Sequence, residues 1–466
     1  MATGPADAPA SSRQTRPVPR DFEARFTIDE LFFSTTDHNG RIRSGNHVFT
    51  RTSGYQLAEM QGQPHSLIRH PDMPRTAFKL LWESLEAGEP FAAYVKNLSK
   101  DGSYYWVMAY VVSAQGGYLS IRLKPTTELF DVVKTVYGEM LKTERSHEDG
   151  TRAGREAGME ASRERLLELL GEHGFTSYDG FMHTALVAEV TAREEQLVGE
   201  PAEAQLAFAD QELVELHRSC QRLHELLDGL VGSTREYSEL NEVLENKARF
   251  ILSLAESIRV FSLNALLASS RLGDRGVALG AVASLMRERS DAIAPIVHTL
   301  DDEFPSALGE LEHLAFRAAA GKLQTEMASM FVQELAATEG AADSEDLRVL
   351  ARCLAEGVDR LFSSLDGLAG RMSTLLGVVW RLEAELDRIR SLEVNGRVED
   401  ARLGGDGRST ATLFATIGEQ VRATADEIQA VKDACSQLAS YDTSAETSAR
   451  REVGRLLERV GVTAGT

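Results

Sequence analysis

The pattern of hydrophobic and polar positions divides the chain in two. From residue 128 onward the apolar period is helical, and in three stretches it settles into the alternating three-and-four spacing of a coiled-coil seam. The first seam runs through Leu213, Leu216, Cys220, Leu223, Leu227 and Leu230 to Ile258, with Thr234 and Asn241 as polar occupants. The second runs from Leu347 to Ile389, with one slipped step between Leu354 and Val358, and the third from Phe414 to Leu438. Between 21 and 127 the period shortens to two. Residues 104–112 are aromatic and β-branched, 118–123 alternate like a following strand, and turn residues stand at Asp37-His38-Asn39-Gly40, Lys100-Asp101-Gly102 and Gly116-Gly117. Short helical stretches such as 74–86 lie between them. The pattern predicts an α+β domain, a small antiparallel sheet with helices on one face, followed by an all-α region of coiled-coil and helical-hairpin character.

Composition sharpens the boundary. Of the 31 aromatic residues, 15 fall between Phe22 and Tyr118. Residues 21–127 carry 11 basic and 11 acidic side chains, whereas the net charge of the whole chain is −21, so the helical half is strongly acidic. Residues 1–20, rich in Pro, Ala and Ser, read as a disordered leader. The expected organisation is therefore a leader (1–20), a sensor-sized domain (21–127), a helical connector (128–210), a first hairpin (211–340) and a second (341–466). A pI near 5.1 lacks the basic stripe that attracts phosphates, which argues against nucleic-acid binding. Cys220, Cys353 and Cys435 are too far apart for a CxxC metal site and suit small core hydrophobes. No apolar run of about 18 residues predicts a membrane span, and the first 20 residues lack the apolar region of a signal peptide, so a cytoplasmic protein is expected. No P-loop, HExxH, GxSxG or kinase signature is present, and the chain reads as a non-enzyme.

The first two seams end in similar words. Asn264, Arg271, Leu272, Gly273 and Gly276 recur as Asn395, Arg402, Leu403, Gly404 and Gly407, with a constant offset of 131. A long heptad arm, these residues, then another arm is how a helical hairpin is written, and glycine allows the reversal because positive φ costs it little. These words resemble the cytoplasmic tip of the methyl-accepting chemotaxis proteins. The second copy keeps Asn395, Val398, Glu399, Ala401, Arg402 and Gly404, while the first keeps Asn264, Ala265, Leu267, Arg271 and Gly273. The resemblance implies a signalling tip that contacts a chemotaxis histidine kinase and its coupling protein through Asn264, Arg271, Asn395, Glu399 and Arg402. Ala268 stands where that family has a tip Glu, and the second turn is longer.

The first domain resembles the PAS domains of aerotaxis (energy-taxis) receptors. Phe33 to Asp37, Asn46, Ser53-Gly54-Tyr55, Gly62 to His65, the run Arg69-His70-Pro71-Asp72-Met73-Pro74, Phe78, Trp82, Gly88-Glu89-Pro90, Val95-Lys96-Asn97, Gly102 and Tyr105-Trp106-Val107 follow that pattern in order. The resemblance implies noncovalent FAD whose redox state is reported, with Asn46, Arg69, His70, Asp72 and Asn97 at the retention positions and Trp82 as a pocket aromatic. His47 replaces a common Asp and Phe91 a common Trp.

On chemistry alone, a flavin needs a flat apolar slot, partners for its ring edge and charge to tune its potential. Trp82, Phe78, Phe91 and Tyr94 are the candidates for the slot. Arg69 suits a phosphate or an anionic ring, or else pairs with Asp72 to brace a loop. His70, held extended by Pro71, serves cofactor or loop. His47, His65 and His70 keep a haem reading open. The sequence thus describes a PAS sensor relaying through the connector to a receptor-like helical bundle, expected as a homodimer. The alternative is a PAS and coiled-coil interaction protein without a cofactor.

Overall fold

The computed structural model describes residues 17–197, 211–338, 344–402, 408–439 and 443–462. Most of the expected leader, and the second tip turn with Leu403, Gly404 and Gly407, lie outside the described residues.

The aromatic half forms five strands: β1 (Phe32–Asp37), β2 (Ile42–Gly45), β3 (Phe91–Leu98), β4 (Tyr104–Ala114) and β5 (Gly117–Leu123). They make one antiparallel sheet in the order β2-β1-β5-β4-β3. β4 and β5 fall where the alternation predicts strands, each predicted turn is a turn, and β3 is a strand the period did not single out. Gly117 is required by proximity: a Cβ there would sit 1.8 Å from the Thr36 carbonyl oxygen, across the β1–β5 ladder. Helices α1 (His47–Ser53), α2 (Leu57–Met60) and α3 (Arg75–Glu86) cover one face. Under them Phe26, Phe32, Phe49 and Tyr105 pack ring against ring, with centroids 5.7–6.4 Å apart. Such pairs add about 0.5–1.5 kcal/mol each beyond the area they bury.

Later segments cover the opposite face. Helix α4 (Glu128–Ser146) lays Phe130 against Tyr94 and Trp106, at 5.5 and 5.4 Å between centroids. Helices α5 (Arg152–Glu172) and α6 (Tyr178–Leu197) complete the connector as helix, as its period predicts.

The helical half consists of α7 (Gln211–Ser270), α8 (Val277–Ala337), α9 (Glu345–Arg402), α10 (Arg408–Ala439) and α11 (Thr443–Arg459). The turn between α7 and α8 is the one the repeat predicts. Gly273 has φ +56°, and a Cβ on Gly276 would lie 2.1 Å from the Ser269 carbonyl oxygen, so both glycines are needed. Contacts gather residues up to 225 with 319–357 and 451–466 into one compact unit, and 226–318 with 358–450 into another. Each of α7, α8 and α9 contributes residues to both units. In the second unit the seam from Val358 to Ile389 is buried, together with Phe414, Ile417 and Val421 of α10. Gly396 allows this packing, since a Cβ there would come 2.3 Å from the Phe414 ring. The side chains from Leu230 to Ala255 along the first seam, and that of Leu438, lie outside the described residues. Every described seam residue is buried within one chain, so the seams by themselves do not call for a second copy.

Candidate functional site

Between α3 and the sheet lies a cavity of about 310 Å³. Helix α3 supplies Phe78, Leu81, Trp82 and Leu85, and the strands supply Val95, Ala109 and Val111, giving apolar walls. The sheet side is polar: Ser34 on β1, Asn97 on β3, and Ser120 and Arg122 on β5. Strand geometry places them, because alternate residues share a face. Along β5, Tyr118, Ser120 and Arg122 face the cavity while Leu119, Ile121 and Leu123 are buried. Asn97 Nδ2, Ser120 Oγ and Arg122 Nη1 are buried and meet no hydrogen-bond partner among the protein atoms. Leaving a buried donor unpaired costs about 1–3 kcal/mol, so three around one cavity mark a place built for an external acceptor.

Arg122 sets the charge of this site. Its guanidinium is 3 % exposed and lies 5.7 and 5.5 Å from the ring centroids of Phe32 and Phe49. Nη2 donates to His65 Nε2 at 2.8 Å. Burial pushes the Arg122 pKa down to about 10, which leaves it charged at neutral pH. Burial first, and the neighbouring Arg122 second, push His65 down to about 3, so the imidazole is neutral. Because Arg122 can only donate, Nε2 is the unprotonated nitrogen, and the Ser34 hydroxyl at 3.2 Å donates to it as well. The cavity lining contains Arg69 and Arg122 and no carboxylate. It is suited to a ligand with a planar apolar body and an edge rich in acceptors or negative charge.

Three of the six residues singled out from the sequence line this cavity: Arg69, Trp82 and Asn97. Trp82, 36 % exposed, stands edge-on to Tyr118 at 5.4 Å, and Gly40 leaves it room. The Arg69 guanidinium lies 4.1 Å from the Phe78 ring centroid and donates to the Met73 carbonyl at 2.9 Å. The other three brace the fold. Asn46 caps α1: its Oδ1 accepts from the N–H groups of Phe33 and Phe49, each at 3.3 Å, and its Nδ2 donates to the Leu31 carbonyl at 3.1 Å. Its polar atoms are thus committed to the protein. His70 is buried beneath Tyr104 and its Nδ1 accepts from the Asp72 N–H at 3.1 Å. Asp72 faces outward, with Lys96 at 3.4 Å and Arg145 at 3.3 Å, so loop-bracing is its visible role, with those partners rather than Arg69.

The expected aromatic slot changes in part. Phe78 and Trp82 are in the wall, whereas Tyr94 points to the opposite face, where it stacks on Phe130 and donates to Glu189 at 2.8 Å. Phe91, at the start of β3, is covered by Tyr178 of α6. His47 lies exposed at the start of α1, so of the three histidines only His65 lines the cavity. Sequence reasoning missed Arg122, Ser120 and Ser34. The signal was present as polar residues recurring at period two within otherwise apolar strands.

At the tips, Asn264 and Arg271 are exposed, as are Asn395 and Arg402, and Glu399 accepts from Arg402 at 2.7 Å. They form no enclosed site. Among the described residues there is no cluster of metal-ligating side chains and no helix long and apolar enough to cross a membrane.

Comparison with known proteins agrees with this geometry. A family model described as a PAS fold matches residues 43–117. The aerotaxis receptor of Escherichia coli (strain K12) is 44 % identical over 114 residues, which are 23 % of this chain and 22 % of the receptor. The nitrogen fixation regulatory protein of Klebsiella pneumoniae is 31 % identical over 85 residues, 18 % of this chain and 17 % of that protein. The chain thus spans less than a quarter of the length of these curated relatives. Among solved structures, a light-oxygen-voltage domain studied with a flavin analogue covers 25 % of this chain and 87 % of its own, at 24 % identity and a TM-score of 0.20. The five-stranded sheet, its flanking helices and the matched sequence together identify the N-terminal domain as a PAS domain similar to that of the aerotaxis receptor.

Proposed function

We propose that this chain is a signal transducer of the taxis type, whose PAS domain holds FAD in the cavity beneath α3 and reports its redox state to the helical region. The observation that carries the reading is the set of three unpartnered donors, Asn97 Nδ2, Ser120 Oγ and Arg122 Nη1, around an otherwise apolar slot. Flavin chemistry at this site is a change in charge and hydrogen-bonding at the ring edge on oxidation or reduction. Asn97 and Ser120 orient that edge, Arg122 favours negative charge on it, and Phe78, Leu81 and Trp82 exclude water. Signalling then consists of shifting a two-state helical packing, which requires a difference of a few kcal/mol between the redox states. The chain is read as a cytoplasmic, non-enzymatic transducer that self-associates as a homodimer and contacts a chemotaxis histidine kinase and coupling protein through its exposed tips. A haem is less well served, since the His65 nitrogen that would bind iron already accepts from Arg122.

The test is the visible absorption spectrum of the purified full-length protein before and after dithionite. Paired blue flavin bands that bleach are expected. A single Soret band would transfer the site to haem. A protein that stays colourless after incubation with FAD would leave the domain as a protein-binding module and end the redox reading.

A further inference from the structure

Strand β1 has two faces with different neighbours. On one, Ser34 donates to His65 inside the cavity. On the other, Phe33 meets Phe331 near the end of α8, edge to face, with centroids 5.0 Å apart. Two residues that share one peptide bond therefore touch the cavity and a helix almost 300 positions along the chain. The contact is wider than this pair. Glu334 of α8 accepts the His47 N–H at 2.8 Å, and Asp346 of α9 accepts from the Ser44 hydroxyl on β2. Arg352 donates to the Gln115 side chain in the β4–β5 turn, and Cys353 Sγ lies 3.9 Å from the Ser113 carbonyl oxygen. All these residues belong to the first compact unit. Glu334 and Asp346 have their carboxyls pushed up by burial at this contact.

We infer that the end of α8 (331–337) and the start of α9 (345–353), together the α8–α9 junction, read the cavity, with β1 as the lever between them. This rests on the flavin reading for the stimulus, but the mechanical coupling stands on the contacts alone. It differs from the route along the connector that the sequence implied. The connector packs mainly on β3, β4 and α3, while the ends of α8 and α9 meet β1, β2, the start of α1 and the β4–β5 turn. A change that alters the hydrogen bond between Ser34 and His65 acts on the backbone that also positions Phe33. Both stretches are the ends of long helices, α8 and α9, so a small shift there is carried along each.

The experiment is hydrogen exchange on the full-length chain, comparing peptides from residues 327–337 and 345–353 with peptides from 178–190 in the connector. Ser34→Ala is expected to speed exchange at the α8–α9 junction about fivefold, the loss of roughly one hydrogen bond's worth of protection, with a smaller change in the connector. Reduction with dithionite should move the same junction peptides in the FAD-loaded protein. Phe331→Ala should remove the response to Ser34→Ala while leaving any flavin absorbance in place. Asp346→Asn, a milder change, should weaken that response if Phe331→Ala fails to fold. Junction peptides that stay within twofold of wild type in Ser34→Ala would overturn the inference, whether or not the connector responds. A protein that takes up no FAD would defeat the proposed function, yet the Ser34→Ala comparison would still decide the coupling.

Discussion

At the scale of single residues, Arg122 carries the sharpest conflict in the molecule. It is a buried cation with no carboxylate within ion-pair distance among the described residues, compensated by two aromatic rings and a neutral histidine. An unpaired buried charge destabilises a fold, and replacing it with an apolar side chain of similar length is often neutral or stabilising by about 1–4 kcal/mol. Arg122→Met is therefore expected to leave the thermal midpoint of the flavin-free protein unchanged or raise it, while reducing retained flavin at least tenfold. His65 tolerates the change because the Ser34 hydroxyl still donates to it. Thermal melts and the ratio of flavin to protein absorbance check both halves; a variant that melts lower yet keeps its flavin would make Arg122 a structural residue. The sequence made Arg69, Trp82 and Asn97 legible because they sit in recognisable words. Arg122 was hidden because a lone arginine on an alternating strand looks like a solvated position. Only the packing of Phe49 and His65 over β5 shows that its face is covered.

At the scale of elements, two carboxylates join the PAS domain to its connector. Glu189 of α6 is fully buried and accepts from the Tyr94 hydroxyl at 2.8 Å, the Thr126 N–H at 2.7 Å and the Thr127 hydroxyl at 2.7 Å. It thereby fixes the two residues that lead into α4, whose own N-cap residue Thr127 makes no capping bond. Glu144 of α4 caps α3, accepting from the N–H groups of Arg75 and Thr76, each at 2.9 Å, where Pro74 offers no side-chain acceptor. Glu189→Gln would turn an amide donor towards a cluster of donors. It is expected to destabilise the domain by about 2 kcal/mol, read as a lower thermal midpoint. A midpoint within a degree of wild type would show that water replaces the clamp. Neither carboxylate was legible beforehand, because a cap supplied from another helix leaves no local spacing to detect. The seams were legible for the opposite reason: repetition over many turns outweighs any single substitution, and each described seam position is buried as its period requires.

At the scale of the whole molecule, charge and exposed apolar surface oppose each other. The chain carries a net charge of −21, concentrated beyond the neutral PAS domain. With the described seams buried inside one chain, a second copy has to use what stays outside. Val260, Leu263 and Leu267 on α7 are 51 %, 44 % and 57 % exposed, and their spacing of three and four is again that of a seam. Bringing two acidic helical halves together along that stripe sets like charges against each other, and screening relieves this within about 10 Å at 0.1 M salt. The homodimer is therefore expected to strengthen as salt rises, opposite to an association held by ion pairs. Sedimentation velocity at 20 mM and 300 mM sodium chloride reads this directly. A shift from monomer towards dimer at the higher salt, reversed by Leu263→Glu, is the expected outcome. A monomer at both concentrations would show that the helical region is closed within one chain, and would remove the homodimer from the proposed function.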